Sequence, residues 1–190
     1  QRVLVVGGNI RKDQPLLAQR LRQAARRGAK VNVIHAQAYD WAMPVAHTLQ
    51  VDAAHWVQAL ADVAAAVAAE KGASAPVSGN AGNAQAKAIA QSLLGGERKA
   101  ILLGNAAAHH AKASSLLALA NWIGAQTGAT VGFLGEAANT VGAQVVGALP
   151  RQGGKNAGQM LAGGLKAVVL LNTEPAHDAA HGQAAAKALS

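Results

Sequence analysis

The first 34 residues constrain the fold more than any later stretch. The apolar run Val3–Val6 leads into the turn Gly7-Gly8-Asn9, and a helical pattern follows. Asp13 reads as its N-cap, and Pro15 falls in the first turn, where a missing N–H costs nothing. Leu17, Leu21 and Ala24 recur at helical spacing until Gly28, a residue suited to ending a helix. The β-branched run Lys30–Ile34 then predicts a second strand. Strand, glycine turn, helix and strand in that order form the βαβ unit of a parallel sheet.

The same grammar continues. A helix is expected over Asp52–Lys71, with Trp56, Leu60, Val63 and Val67 on one stripe and Gly72 closing it. Residues Gly72–Asn83 hold Gly, Ser, Pro and Asn with little apolar content, which predicts a mobile loop. A short helix follows over Ala84–Leu94, then a strand over Lys99–Leu103 that ends in Gly104-Asn105. Lys112–Gln126 reads as a helix turning Leu116, Leu119, Ala120 and Ile123 inward, stopped by Gly128. Thr130–Leu134 and Lys166–Leu171 are the remaining expected strands, the latter turning at Asn172-Thr173-Glu174-Pro175 into a terminal helix. Between them, residues 132–164 are rich in Gly, Ala and Asn and show no clear period. The fold class is therefore α/β: a Rossmann-like open, mostly parallel sheet flanked by helices.

Composition narrows the function. Hydrophobic residues make up 51% of the chain, which argues against disorder. No cysteine is present, so a disulfide scaffold, a thiolate-held iron–sulfur cluster and a thiolate zinc site are all excluded here. No run of about 18 apolar residues appears, so no direct membrane insertion is expected. The chain starts at Gln1 and enters a strand at once, and residues 1–190 read as a fragment of a longer chain. The net charge of +8 is concentrated at Arg11, Lys12, Arg20, Arg22, Arg26, Arg27 and Lys30. With no aromatics interleaved and no recognition motif, this is a solvated helix face, and nucleic acid is not an expected ligand.

Three predicted strands end in a small turn with asparagine: Asn9, Asn105 and Asn172. Ligands of open parallel sheets bind outside the carboxyl ends of the strands. Asparagine is equally a turn former that bonds its own backbone, which is the structural alternative. Gly7-Gly8-Asn9-Ile10-Arg11 does not have GxGxxG spacing, and Asp40 is the nearest acid after the second strand. Arg11 stands where it would meet a phosphate or simply be solvated. His109 and His110 are adjacent, so on a helix they diverge by roughly 100°. Glu174, His177 and His181 share a helical face but have no fourth ligand near in sequence, and no metal is expected. Nine acidic residues, with no Ser/His/Asp order and no P-loop, supply no catalytic residues.

Val3–Asn9, Pro15-Leu16-Leu17 and the arginine-rich Arg20–Lys30 segment resemble the molybdopterin oxidoreductase superfamily, with Ile10 standing where that family often has proline. Ala138–Ala143, Gly147–Pro150, and Leu161–Asn172 with Glu174-Pro175 and Asp178 resemble the large iron–sulfur subunit of bacterial NADH:quinone oxidoreductase (respiratory complex I). That resemblance implies a structural, scaffolding role. The iron–sulfur clusters would lie elsewhere in the parent subunit, with no cofactor in this segment. The partners implied are the cluster-bearing N-terminal part of the same chain and other subunits of the peripheral arm. The implied location is the cytoplasmic side of the bacterial inner membrane. Gly7, Gly8, Asn9, Arg11, Asn105 and Asn172 are the positions expected as vestiges of a cofactor site. The alternatives are a true molybdopterin-dependent enzyme, similar to formate dehydrogenase, and a nucleotide module similar to the middle domain of thiamine-diphosphate enzymes.

Overall fold

In the computed structural model, which describes residues 1–135, 139–179 and 181–189, the run at Val3–Val6 is the middle of the sheet. β1 (Arg2–Val6), β2 (Lys30–His35), β3 (His47–Gln50), β4 (Lys99–Leu103) and β5 (Thr130–Phe133) lie in the order β3-β2-β1-β4-β5. Each pairing is parallel, and Val6 stands opposite both Ile34 and Leu103. Leu4, Val5 and Val6 are fully buried because helices cover both faces, which is why β1 reads as a continuous apolar run rather than an alternating one.

The helix expected from Asp13 arrives in two pieces, α1 (Ile10–Asp13) and α2 (Pro15–Arg26). Gln14 between them has φ −136° and ψ 68°, because the Pro15 ring forces its predecessor out of helical geometry. Asp13 therefore does not cap α2. α2 packs on one sheet face, where Val3, Val5, Val31, Val33, Ile10, Ala18, Ala25 and Trp41 form a core. The opposite face carries α3 (Trp56–Lys71), entered by a 3-10 turn at Ala53–His55, then α4 (Ala84–Leu94) and α6 (Ala113–Thr127). Leu4, Val6, Ile34, Ile101 and Leu103 meet these helices in the larger core. α3 is buried almost all round, and its many alanines let α4 and α6 approach its backbone. Truncating a fully buried side chain here, such as Leu60→Ala, is expected to cost roughly 2–5 kcal/mol.

Residues 72–83 contain neither helix nor strand, as expected, and the far end is tied down. Asp62, buried on α3, accepts the Asn80 N–H at 2.8 Å, Asn83 Nδ2 at 3.0 Å and Gln58 Nε2 at 2.9 Å. Three donors satisfy a carboxylate that burial would otherwise penalise.

Two further departures from the sequence reading concern strands. β3 was missed because it is a four-residue edge strand in which Leu49 is its one buried residue. Lys166–Leu171, expected as a strand, is not one: it is irregular, with Val169 93% and Leu171 87% exposed. β-branched residues favour strands only where a ladder and a packing surface exist, and this run has neither in the structure.

The chain divides into two units, Gln1–Glu136, which holds the sheet, and Ala137–Ser190. The second unit is built of short helices: α7 (Thr140–Val145), α8 (Ala157–Leu161), α9 (Pro175–Asp178) and α10 (Gly182–Leu189). Asn156 and Gln159 form a reciprocal capping box at the start of α8. Among the described residues, no helix is long and apolar enough to cross a membrane.

Candidate functional site

From β1 the chain moves outward through β2 to β3, then returns to lay β4 on the other side of β1. The hand of the crossovers then places the helices of the two directions on opposite faces and opens a crevice above the carboxyl ends of β1 and β4. A cleft of about 610 Å³ lies there, lined by Gly7, Asn9, Lys12, Asp13, His35 and Asn105 among others. Its volume falls in the range that takes a small molecule.

Its floor is backbone against backbone. Gly7 has φ +59°, and a Cβ there would stand 2.6 Å from Trp56 Cζ3 and 2.9 Å from Ala107 N. Trp56 is held in place by donating its Nε1–H to the Val51 carbonyl at 3.1 Å. Gly8 lies directly on Gly104, whose Cα would be 2.9 Å from a Cβ on Gly8. The Gly7 carbonyl accepts the Ala106 N–H at 2.9 Å, fixing the start of α5 (Asn105–Ala108) beside the first turn. The two glycine turns are thus one packed unit, and Asn9 and Asn105 rise from it into the cleft.

Several polar groups on and beside this floor are engaged within the chain. The Asn9 N–H donates to Asp13 Oδ2 at 3.2 Å. Arg11 turns away from the cleft to Asp40, with Nη1 2.7 Å from Oδ2 and 2.9 Å from the backbone carbonyl. The Ala42 N–H, then Arg11, hold the Asp40 carboxyl below its ordinary range. Lys12 and Asp13 both line the cleft, so their charges offset one another. An entering phosphate would meet an Asn9 amide already bonded to a carboxylate.

His35 ends β2 at the cleft wall. The Gln37 N–H donates to its Nδ1 at 3.1 Å, which puts the proton of the neutral ring on Nε2. Its ring meets Tyr39 edge-on at 4.7 Å and leans on Trp56 at 5.7 Å. Burial pushes its pKa down, with the Asp13 charge pulling the other way. The wall therefore presents a neutral hydrogen-bond donor.

Of the residues expected from sequence, Gly7, Asn9 and Asn105 line the cleft, Gly8 supports it from below, and Arg11 is drawn off by Asp40. Asn172 lies in the second unit, exposed and with φ +52°, as a turn residue. Sequence reasoning missed His35, Tyr39, Lys12 and Asp13. Extending β2 by one residue would have placed His35 at a strand end, the position where such sites are sought. His110 spends both ring nitrogens on backbone, donating to the Ala53 carbonyl at 3.0 Å and accepting the Lys112 N–H at 3.0 Å. His177 and Glu174 form an exposed pair at 3.8 Å. Among the described residues, no group of three acidic, histidine or cysteine side chains is placed to hold a metal. The motif expected at Ala138–Ala143 begins outside the described residues.

A comparison with curated proteins finds no match. The family model for molybdopterin oxidoreductases matches residues 1–190. The parallel sheet, its switch point and this match over the whole chain agree: the protein belongs to the molybdopterin oxidoreductase family.

Proposed function

We propose that this chain serves as a scaffolding domain of an NADH:quinone oxidoreductase subunit, keeping the fold of an oxidoreductase family while leaving its cofactor turn unused. The observation that carries this reading is the bond from the Asn9 N–H to Asp13. A pterin dinucleotide brings a pyrophosphate, and a carboxylate on the turn amide repels one. With Arg11 committed to Asp40 and Lys12 offset by Asp13, the cleft offers no surplus positive charge from its lysine and arginine side chains. The residues present do not fit that group.

On this reading the electrons travel from NADH towards quinone through iron–sulfur clusters outside residues 1–190. The chain packs against the cluster-bearing part of its parent subunit and against neighbouring subunits, on the cytoplasmic side of the bacterial inner membrane. A second reading, a cofactor-binding domain of a formate dehydrogenase-like enzyme, draws support from Asn9 and Asn105 facing one cleft at the switch point. Activity of the native assembly purified through this chain separates the two. Quinone reduction driven by NADH is expected. Formate-driven dye reduction without NADH-driven quinone reduction would overturn the scaffold reading.

A further inference from the structure

We infer that a second cleft, at the amino ends of β1 and β2 and so on the rim of the sheet opposite the switch point, binds a phosphate group, free or carried by a small molecule. It encloses about 410 Å³ and is lined by Arg2, Lys30, His47, Gln91 and Ser92 among others. Register brings its basic residues together. Arg2 pairs with Lys30, and Asn32, two residues on from Lys30, pairs with His47. Strand alternation puts all four on the sheet face that α4 covers, where Asn32 meets Ser92.

No acidic residue lines this cleft, and among the described residues none of its three basic side chains joins an ion pair. Arg2 is held by carbonyls instead, with Nη1 donating to Gln1 O at 2.8 Å and Nη2 to Gly95 O at 3.5 Å. These neutral acceptors fix the guanidinium and leave its charge uncancelled. The C-terminal end of α4 borders the cleft, and its dipole offsets about half a unit charge, against the full charges of Arg2 and Lys30. Gln91 spends its amide on Glu70 at 3.1 Å, and Glu70 does not line the cleft.

A second observation, independent of the charges, points to the same place. The fully buried Asn32 interrupts the apolar run of β2. Its Nδ2 donates to the Val3 carbonyl and to Ser92 Oγ, each at 3.1 Å, and its Oδ1 has no partner. An amide with an orphaned oxygen is a cost to the core. What it supplies is a serine oxygen already engaged as acceptor, so the Ser92 proton is turned away from Asn32. Among the described residues no acceptor takes that proton, and Ser92 lines the cleft. A guanidinium, an ammonium, an imidazole and a hydroxyl thus converge from β1, β2, β3 and α4. Donors from four directions suit a tetrahedral dianion, whereas a planar carboxylate is served by one arginine fork. The volume leaves room for a small molecule behind the phosphate. The inference is independent of whether the switch-point cleft holds a cofactor.

The test titrates the full chain with inorganic phosphate and with glycerol 3-phosphate at about 0.15 M salt, read by amide NMR shifts. Saturable shifts at Lys30, His47 and Ser92 are expected, with half-saturation at roughly 1 mM and with Asn9 and Asn105 unmoved. Lys30→Met should weaken binding roughly tenfold and leave thermal unfolding unchanged, and Ser92→Ala should weaken it by a similar factor. Tighter binding of glycerol 3-phosphate assigns the site to a monoester, and equal binding assigns it to the free ion. Shifts that do not saturate, that added chloride reproduces, or that fall on Asn9 and Asn105 instead overturn the inference. So does malonate binding as tightly as phosphate, or an affinity indifferent to Lys30→Met.

Discussion

Asp13 and Asn9 close on each other across the turn after β1, the carboxylate accepting the backbone N–H at 3.2 Å. A position open to anions in related folds is here filled by the chain's own charge. Removing that charge should therefore change what the cleft binds. Asp13→Ala is expected to raise pyrophosphate affinity by roughly tenfold or more, since it frees the amide and leaves Lys12 unopposed. Isothermal titration of both proteins checks this. Tight pyrophosphate binding by the unaltered chain would contradict it.

His35 supplies the pH dependence. Burial lowers its pKa from the ordinary 6.5, so the folded chain refuses a proton that the unfolded chain accepts. Its contribution to stability is fully present above 6.5 and is lost as pH falls from there towards the folded value. The NMR titration midpoint of His35 should lie below 6.5. In Asp13→Asn it should fall further, because the Asp13 charge opposes the shift. His35→Phe should remove part of the acid sensitivity seen in urea midpoints between about pH 7 and pH 5.5. A midpoint at or above the ordinary value would contradict the buried, neutral assignment.

Much of this was legible beforehand, and the exceptions share a cause. The strands β1, β2 and β4 and the stripes of α3 and α6 are written in local spacing, so periodicity finds them. The helix stops at Gly72 and Gly128 are likewise local, and both residues have left-handed backbones, with φ of +64° and +77°. β3 and the unpaired Lys166–Leu171 run depend on whether a distant edge is available, which spacing does not encode. The site divides the same way. Gly7, Asn9 and Asn105 follow from the rule about strand ends, whereas the bonds of Asp13 to the Asn9 N–H and of Asp40 to Arg11 and the Ala42 N–H are side-chain contacts that spacing does not encode. Ala42 itself has φ +52°.

The clamp at Asp62 gives a stability prediction. Asp62→Ala leaves the Asn80 N–H and Asn83 Nδ2 without their acceptor, and roughly 2–3 kcal/mol should be lost in denaturant unfolding. Hydrogen exchange over residues 78–83 should speed up more than exchange in β1. Equal changes in both would contradict a local clamp.

The glycine floor gives another. Gly104→Ala would drive a Cβ into the backbone of Gly8 and Gly7, which has no flexible end to yield. A loss of roughly 2–3 kcal/mol is expected. Gly72→Ala meets nothing within 4 Å and carries only left-handed strain, about 1 kcal/mol. Thermal unfolding of the two variants checks the order, and a larger loss for Gly72→Ala would contradict the packed turn.

The central claim, that the cofactor turn is unused, meets its most direct test in metal and pterin analysis of the native assembly purified through this chain. Iron without molybdenum, tungsten or pterin is the predicted result. Stoichiometric molybdenum or tungsten together with pterin would contradict it, and would make Asn9 and Asn105 contacts of a working cofactor.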